Sequence, residues 1–282
     1  MLHGTVFGTV FYLAALIACV VNIYRFRKSH KPMSGFTWSV LSFLITISMG
    51  SVAAGLISPL HIPINIYSMA VIYLLIAVLV GWRIKKEGMR QEYIWEKYDF
   101  IVLILTTVAV AAISLKIFSP QLLYCYYNSD AGLHLKEATA IVRSQKVTNM
   151  YFLHLQNAMF VEMIQPFVRI ADWYKGYILG DCFFLWLETL FFAAMIRRFA
   201  KTKGSKVFAI FLTVCYFMGY PFFSYYYSFG YWAVGSMMVG FVAITLRLYE
   251  EACVERKYSI FMLMLGCFGV MTSYMMFAPV TF

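Results

Sequence analysis

Apolar residues run in long stretches along this chain, and eight of them reach the roughly 17 to 25 residues that a helix needs to cross the hydrocarbon of a bilayer. They extend from Thr5 to Ile23, Trp38 to Ile57, Ile64 to Trp82, Phe100 to Phe118, Tyr177 to Ile196, Val207 to Phe223, Phe229 to Leu246 and Ser259 to Phe277. None alternates with the period of two that a barrel strand requires. The pattern predicts an all-α fold, a polytopic transmembrane helical bundle of about eight spans. Three spans form an amino-terminal block (residues 1–99), and five form a membrane core (residues 100–282) that includes a long outer loop, residues 119–176, with amphipathic helices.

Composition agrees with lipid as the solvent. Of 282 residues, 62% are hydrophobic and only 13% charged, and the mean hydropathy is +0.74; a water-soluble domain carries about 25% charged residues to cover its surface. The net charge of +10 invites a nucleic-acid reading, but the basic residues are sorted by connection. Arg25, Arg27, Lys28 and Lys31 follow the first span, Arg83, Lys85, Lys86, Arg90 and Lys97 the third, Arg197, Arg198, Lys201, Lys203 and Lys206 the fifth, and Arg247, Arg256 and Lys257 the seventh. The remaining six, Lys116, Lys136, Arg143, Lys146, Arg169 and Lys175, lie in the long fourth connection or at its edge. Cytoplasmic connections retain positive charge during insertion. This alternation therefore predicts a multi-pass plasma-membrane protein with both termini outside, and it removes nucleic acid as a partner.

The first apolar run has no basic segment before it and the cluster Arg25 to Lys31 behind it, so it reads as a reverse anchor and not a cleaved signal peptide. Six scattered cysteines form no C-x-x-C pair, so neither a zinc site nor a disulfide framework is indicated. Phosphate-loop, dinucleotide, zincin and nucleophile-elbow motifs are absent.

Candidate chemistry concentrates in the long outer loop, since irregular outer segments carry function more often than spans do. Tyr126 to Lys146 opens with Asn128, Ser129 and Asp130, which suit a helix start. On the helix that follows, Asp130, His134, Glu137 and Ile141 share one face, Lys136 and Arg143 another, and Leu133, Ile141 and Val142 are expected to supply apolar contacts. A carboxylate, an imidazole and a second carboxylate at the membrane surface suit proton abstraction from a hydroxyl or the binding of a divalent cation. The plainer reading is a capping Asp130 with His134 and Glu137 solvated or paired with Lys136. From Tyr151 to Tyr177 the loop mixes aromatic residues with Gln156, Asn157, Glu162 and Gln165, which predicts a helix lying in the interface, interrupted at Pro166. His154 reads there as a structural residue. Arg169, Asp172 and Lys175 suit an anionic headgroup or a simple interfacial charge cluster. In the fifth span Asp181 and Glu188 share a face, and a carboxylate near the bilayer centre costs roughly 2.5–3.5 kcal/mol to insert, so it should face the bundle interior. Asp181 is expected nearer the outer surface. The aromatic connection Gly219 to Trp232 is an interfacial belt or a platform for sugar or prenyl groups.

The segment S-D-A-G-L-H-L after an inside-to-outside span, followed by aromatic-rich spans with Y-P-F-F-S-Y-Y-Y, resembles the C-type integral membrane glycosyltransferases, the GT-C superfamily, over Phe100 to Phe282. The resemblance implies a membrane enzyme of a bacterial cell envelope that transfers a sugar from a polyprenyl-phosphate-linked donor to an acceptor on the outer face. Asp130 would be its catalytic acidic residue, the base towards the acceptor hydroxyl, and His134 the frequent follower, with Asp172 or Asp181 as a second acidic position. Lys136, Arg143 or Arg169 would neutralise the carrier phosphate, and a divalent cation held by Asp130 and His134 could replace one of them. The chain stops at Ala278 to Phe282, directly after a span, so the resemblance also implies a shortened or truncated carboxyl half. Two readings from other classes stand beside it. One is a transporter or flippase moving a polar or lipid-linked solute past Glu188 and Asp181, and the other a noncatalytic membrane scaffold.

Overall fold

The computed structural model describes residues 4–26, 33–87, 93–122, 129–147, 152–197, 200–218, 230–251 and 253–273. Over the described residues, each predicted apolar stretch overlaps a helix. The first four are α1 (Val6–Arg25), α2 (Gly35–Ile57), α3 (Ile66–Glu87) and α4 (Lys97–Phe118). The long connection holds α5 (Ser129–Ser144) and α6 (Phe152–Ile164), and after it come α7 (Tyr174–Arg197), α8 (Lys203–Met218), α9 (Gly230–Glu250) and α10 (Arg256–Ser273). The helix starts carry the chemistry that satisfies free backbone N–H groups. The Thr5 side chain accepts from the Gly8 N–H at 2.9 Å, and Glu96 and Asp99 form a capping box on α4. Thr202 and Ser205 exchange bonds ahead of α8.

Among the described residues five helices, α1, α2 with the turn after it, α3, α4 and α7 with the turn before it, are long and apolar enough to cross a membrane. Their outward faces are apolar. α1 exposes Phe7, Val10 and Ile17, α3 exposes Leu75, Val78 and Leu79, and α4 exposes Phe100, Ile104 and Val108. The interior meanwhile encloses Ser42, Thr46, Ser48, Gln156, Asn157, Glu162, Asp181 and Glu188. Contiguous apolar faces of this extent would be untenable in water. The chain is an all-α helical membrane bundle.

The two ends of the bundle sort the connections as the charge pattern does. At one end a two-residue parallel pairing joins β1 (Met33–Ser34) to β2 (Tyr93–Ile94), Phe26 packs edge-on against Tyr258, and Glu96 meets Arg197 and Lys206. These residues flank the first, third, fifth and seventh connections, where the basic residues concentrate. At the other end the Gly4 N–H donates to Gln165 at 2.7 Å, Ile64 to the Gln145 carbonyl at 2.8 Å, and Val147 to the Ser58 hydroxyl at 3.1 Å. The amino-terminal end of α1, the second connection and the long loop therefore meet.

The expectation of an interfacial helix over the second half of the loop is corrected by α6. It is buried along nearly its whole length and packs against α1, α2, α5, α7, α9 and α10. Its polar side chains, which suggested a wetted surface, find partners inside: Gln156 donates to Ser51 at 2.8 Å and Asn157 to Asp181 at 2.9 Å. Glu162 accepts from the Ile66 N–H at 2.7 Å. The helix ends where Pro166 enters a 3-10 turn, Gln165–Phe167.

Gly176 and Gly180, one turn apart on α7, permit this insertion. A Cβ on Gly176 would meet the Val161 Cα at 2.6 Å and the Phe160 carbonyl oxygen at 2.8 Å, and one on Gly180 would strike the Asn157 side-chain oxygen. Backbone atoms cannot swing aside, so Gly176→Ala is expected to destabilise the protein by about 1–3 kcal/mol, the usual cost of overpacking. Thermal unfolding in detergent checks this against Gly55→Ala, whose Cβ would meet nothing within 4 Å and which should not lower the unfolding temperature.

Candidate functional site

At the long-loop end α5 lies against α6 and α7. Its inward stripe runs through His134, Ala138, Ile141 and Val142; Ala138 and Ile141 are fully buried and Val142 nearly so. Lys136 and Arg143 are exposed on the opposite side, and Glu137 is half-buried at the flank. Leu133, expected to pack inward, is instead 53% exposed, because the stripe passes one residue later and Ala138 takes the contact. Asp130 lies in the first turn of α5, and the helix register sets position 130 one turn before His134 along the stripe. The Asp130 side chain lies outside the described residues. So does the aromatic connection, residues 219–229.

His134 is held by a partner on another helix. Its Nδ1 lies 2.6 Å from Nε2 of His154, with one shared proton between the two rings. His154 is 2% exposed. Burial, and then the charge of His134, pushes His154 down to about 3, so it stays neutral at physiological pH. A neutral buried imidazole in hydrogen-bond contact fixes the orientation of the outer ring. His154 was read from sequence as structural; its role in positioning His134 was not legible, since the two lie on different helices 20 residues apart.

The other candidate residues occupy three separate places. Arg169 and Lys175 both pair with Asp172, at 3.4 Å and 3.1 Å. With Arg169 almost fully exposed, this trio is a charge cluster just before α7. Asp181 is buried and bonded to Asn157, joining α7 to α6. Glu188, two turns further along the same face of α7, is also buried in the bundle. Glu162, on α6, is fully buried. Burial pushes its carboxyl up to about 8, against the lowering influence of the Ile66 N–H.

Among the described residues no three His, Cys, Asp or Glu side chains are grouped to hold a metal ion. His134 commits its Nδ1 to His154. Comparison with protein-family models, curated proteins and solved structures finds no match to this chain.

The two shifted groups of α6 set opposing pH dependences. The contribution of His154 is complete above its ordinary value of 6.5 and is lost as pH falls towards about 3. That of Glu162 is complete below its ordinary value of 4.5 and is lost as pH rises to about 8. Between 4.5 and 6.5 the two slopes cancel. Unfolding temperature measured across pH 4–9 is expected to peak in that interval and to decline on both sides. Glu162→Gln should flatten the alkaline decline and His154→Gln the acidic one; a profile unchanged by both variants would contradict these assignments.

Proposed function

We propose that this chain is a plasma-membrane glycosyltransferase of about eight spans, with both termini on the outer face, that moves a sugar from a polyprenyl-phosphate-linked donor to an acceptor hydroxyl. One observation carries the reading. An amphipathic helix, α5, is docked against the bundle at the long-loop end, with position 130 one turn from an imidazole that a buried second imidazole holds in place. Such support is what a reacting group at a lipid surface requires, because precise orientation contributes much of the rate.

In this reading the Asp130 carboxylate takes the proton of the acceptor hydroxyl as its oxygen bonds to the anomeric carbon. The bond from that carbon to the phosphate oxygen breaks on the opposite side, and the carrier leaves as polyprenyl phosphate. Attack of this kind inverts the anomeric centre. Lys136 and Arg143, exposed on the outer face of α5, and Arg169, exposed before α7, are the cations available to the departing phosphate. A divalent cation at Asp130 would serve the same end in place of one of them. Glu137, Asp172 and Asp181 complete the acidic set near the loop, and Glu188 lies deeper in the bundle.

Asp130→Asn is expected to lower transfer from a labelled polyprenyl-phosphate sugar by about 10²- to 10⁴-fold, the usual share of a general base, with the unfolding temperature unchanged. Undiminished transfer would remove Asp130 from the chemistry. Proton-coupled uptake abolished by Glu188→Gln and indifferent to Asp130→Asn would turn the reading to a transporter.

A further inference from the structure

At the end of the bundle opposite α5, Glu96 and Asp99 begin α4, Arg197 ends α7 and Lys206 lies in the first turn of α8. Asp99 is buried against Arg197. Glu96 accepts from Lys206 and lies 3.4 Å from Arg197, and the Lys206 ammonium stands 5.6 Å above the Tyr98 ring. Glu96 is half-buried, and the Lys206 hydrogen bond, with the Arg197 charge adding to it, holds its carboxyl below the usual range. These contacts clamp α4, α7 and α8 together.

Beside the clamp opens a cavity of about 310 Å³, with Ser34, Ile94, Glu96, Arg197, Lys201 and Lys206 in its wall. Lys201 has no carboxylate partner among the described residues, so the wall holds three cations against one carboxylate. Lys206 and Arg197 retain further donors beyond those given to Glu96, since an ammonium has three N–H groups and a guanidinium five. The cavity also borders lipid-facing surface. α4 exposes Phe100, Ile101 and Ile104, and α8 exposes Val207, Phe208 and Phe211, all within about two turns of the charged ends of these helices.

We propose that this cavity binds the phosphodiester of a membrane phospholipid, with Lys201, Arg197 and Lys206 donating to the phosphate and the acyl chains lying along the exposed faces of α4 and α8. With Asp99 counted against Arg197 behind the wall, three cations face two carboxylates, so a single negative charge matches the excess. Glu96 accepts from a hydroxyl or ammonium of the headgroup. Arginine and lysine together suit phosphate oxygens in geometry and charge, and a basic pocket between spans is a recurrent way of holding an anionic headgroup.

The test uses the full chain, purified in detergent and stripped of lipid, with unfolding temperature titrated against three probes: phosphatidylglycerol in mixed micelles, diacylglycerol of the same chains, and inorganic phosphate. Phosphatidylglycerol is expected to raise the unfolding temperature saturably, while the other two leave it unchanged. Lys201→Ala, at an exposed site outside the clamp, should keep the lipid-free unfolding temperature and weaken the lipid's apparent affinity about fivefold; Lys201→Arg should restore it. An equal response to diacylglycerol would overturn the phosphate contact, and an equal response to inorganic phosphate would overturn the lipid assignment. Unchanged affinity in Lys201→Ala would overturn the site itself.

Discussion

A helix with several polar side chains has been driven into the middle of an apolar bundle, and each of those side chains has to find a partner there. Leaving a buried donor or acceptor unmade costs about 1–3 kcal/mol, and lipid offers no water to make up the loss. The partners come from different helices. Gln156 reaches α2, Asn157 reaches α7, Glu162 takes the first N–H of α3, and His154 meets α5. The Met163 carbonyl accepts from Thr9 of α1, and Gln165 accepts from Gly4 just before α1. Helix α6 thus fixes five neighbours relative to one another at a single level of the bundle. Hydrophobic burial cannot supply that specificity, because lipid is as good a neighbour for Leu as another Leu is.

The candidate chemistry depends on this arrangement. Helix α5 has one apolar stripe, and α6 supplies both the surface that buries Ile141 and Val142 and the imidazole that orients His134. Close passage of α6 along α7 requires the two glycines there, and the Asn157–Asp181 bond locks the same crossing. Asp181 therefore acts first as a tie between helices. The Arg169–Asp172–Lys175 cluster lies apart from it, at the entry to α7.

The long apolar helices were legible because hydropathy over some twenty residues is a strong signal, and the charge asymmetry of the connections told which ends would meet. The start of α5 was legible from Asn128, Ser129 and Asp130. Helix α6 was misread for a physical reason: thirteen residues mixing Phe, Leu and Met with Gln, Asn and Glu describe a wetted interfacial helix and a buried one bonded to its neighbours equally well. What separates them is the presence of Ser51, Ile66 and Asp181, which lie between 24 and 105 residues away in the sequence. The His134–His154 pair was hidden in the same way. The Gly176–Gly180 spacing was present in the sequence and would have pointed to a close helix crossing, though not to its partner.

Amide hydrogen exchange of the intact protein in lipid nanodiscs tests the burial of α6 most directly. Peptides covering Phe152 to Ile164 are expected to exchange as slowly as those from the middle of α2 and α7, with α5 exchanging faster because its outer face is wet. Rapid exchange along α6, at the rate of an interfacial helix, would contradict its place at the centre of the bundle and remove the support on which His134 rests.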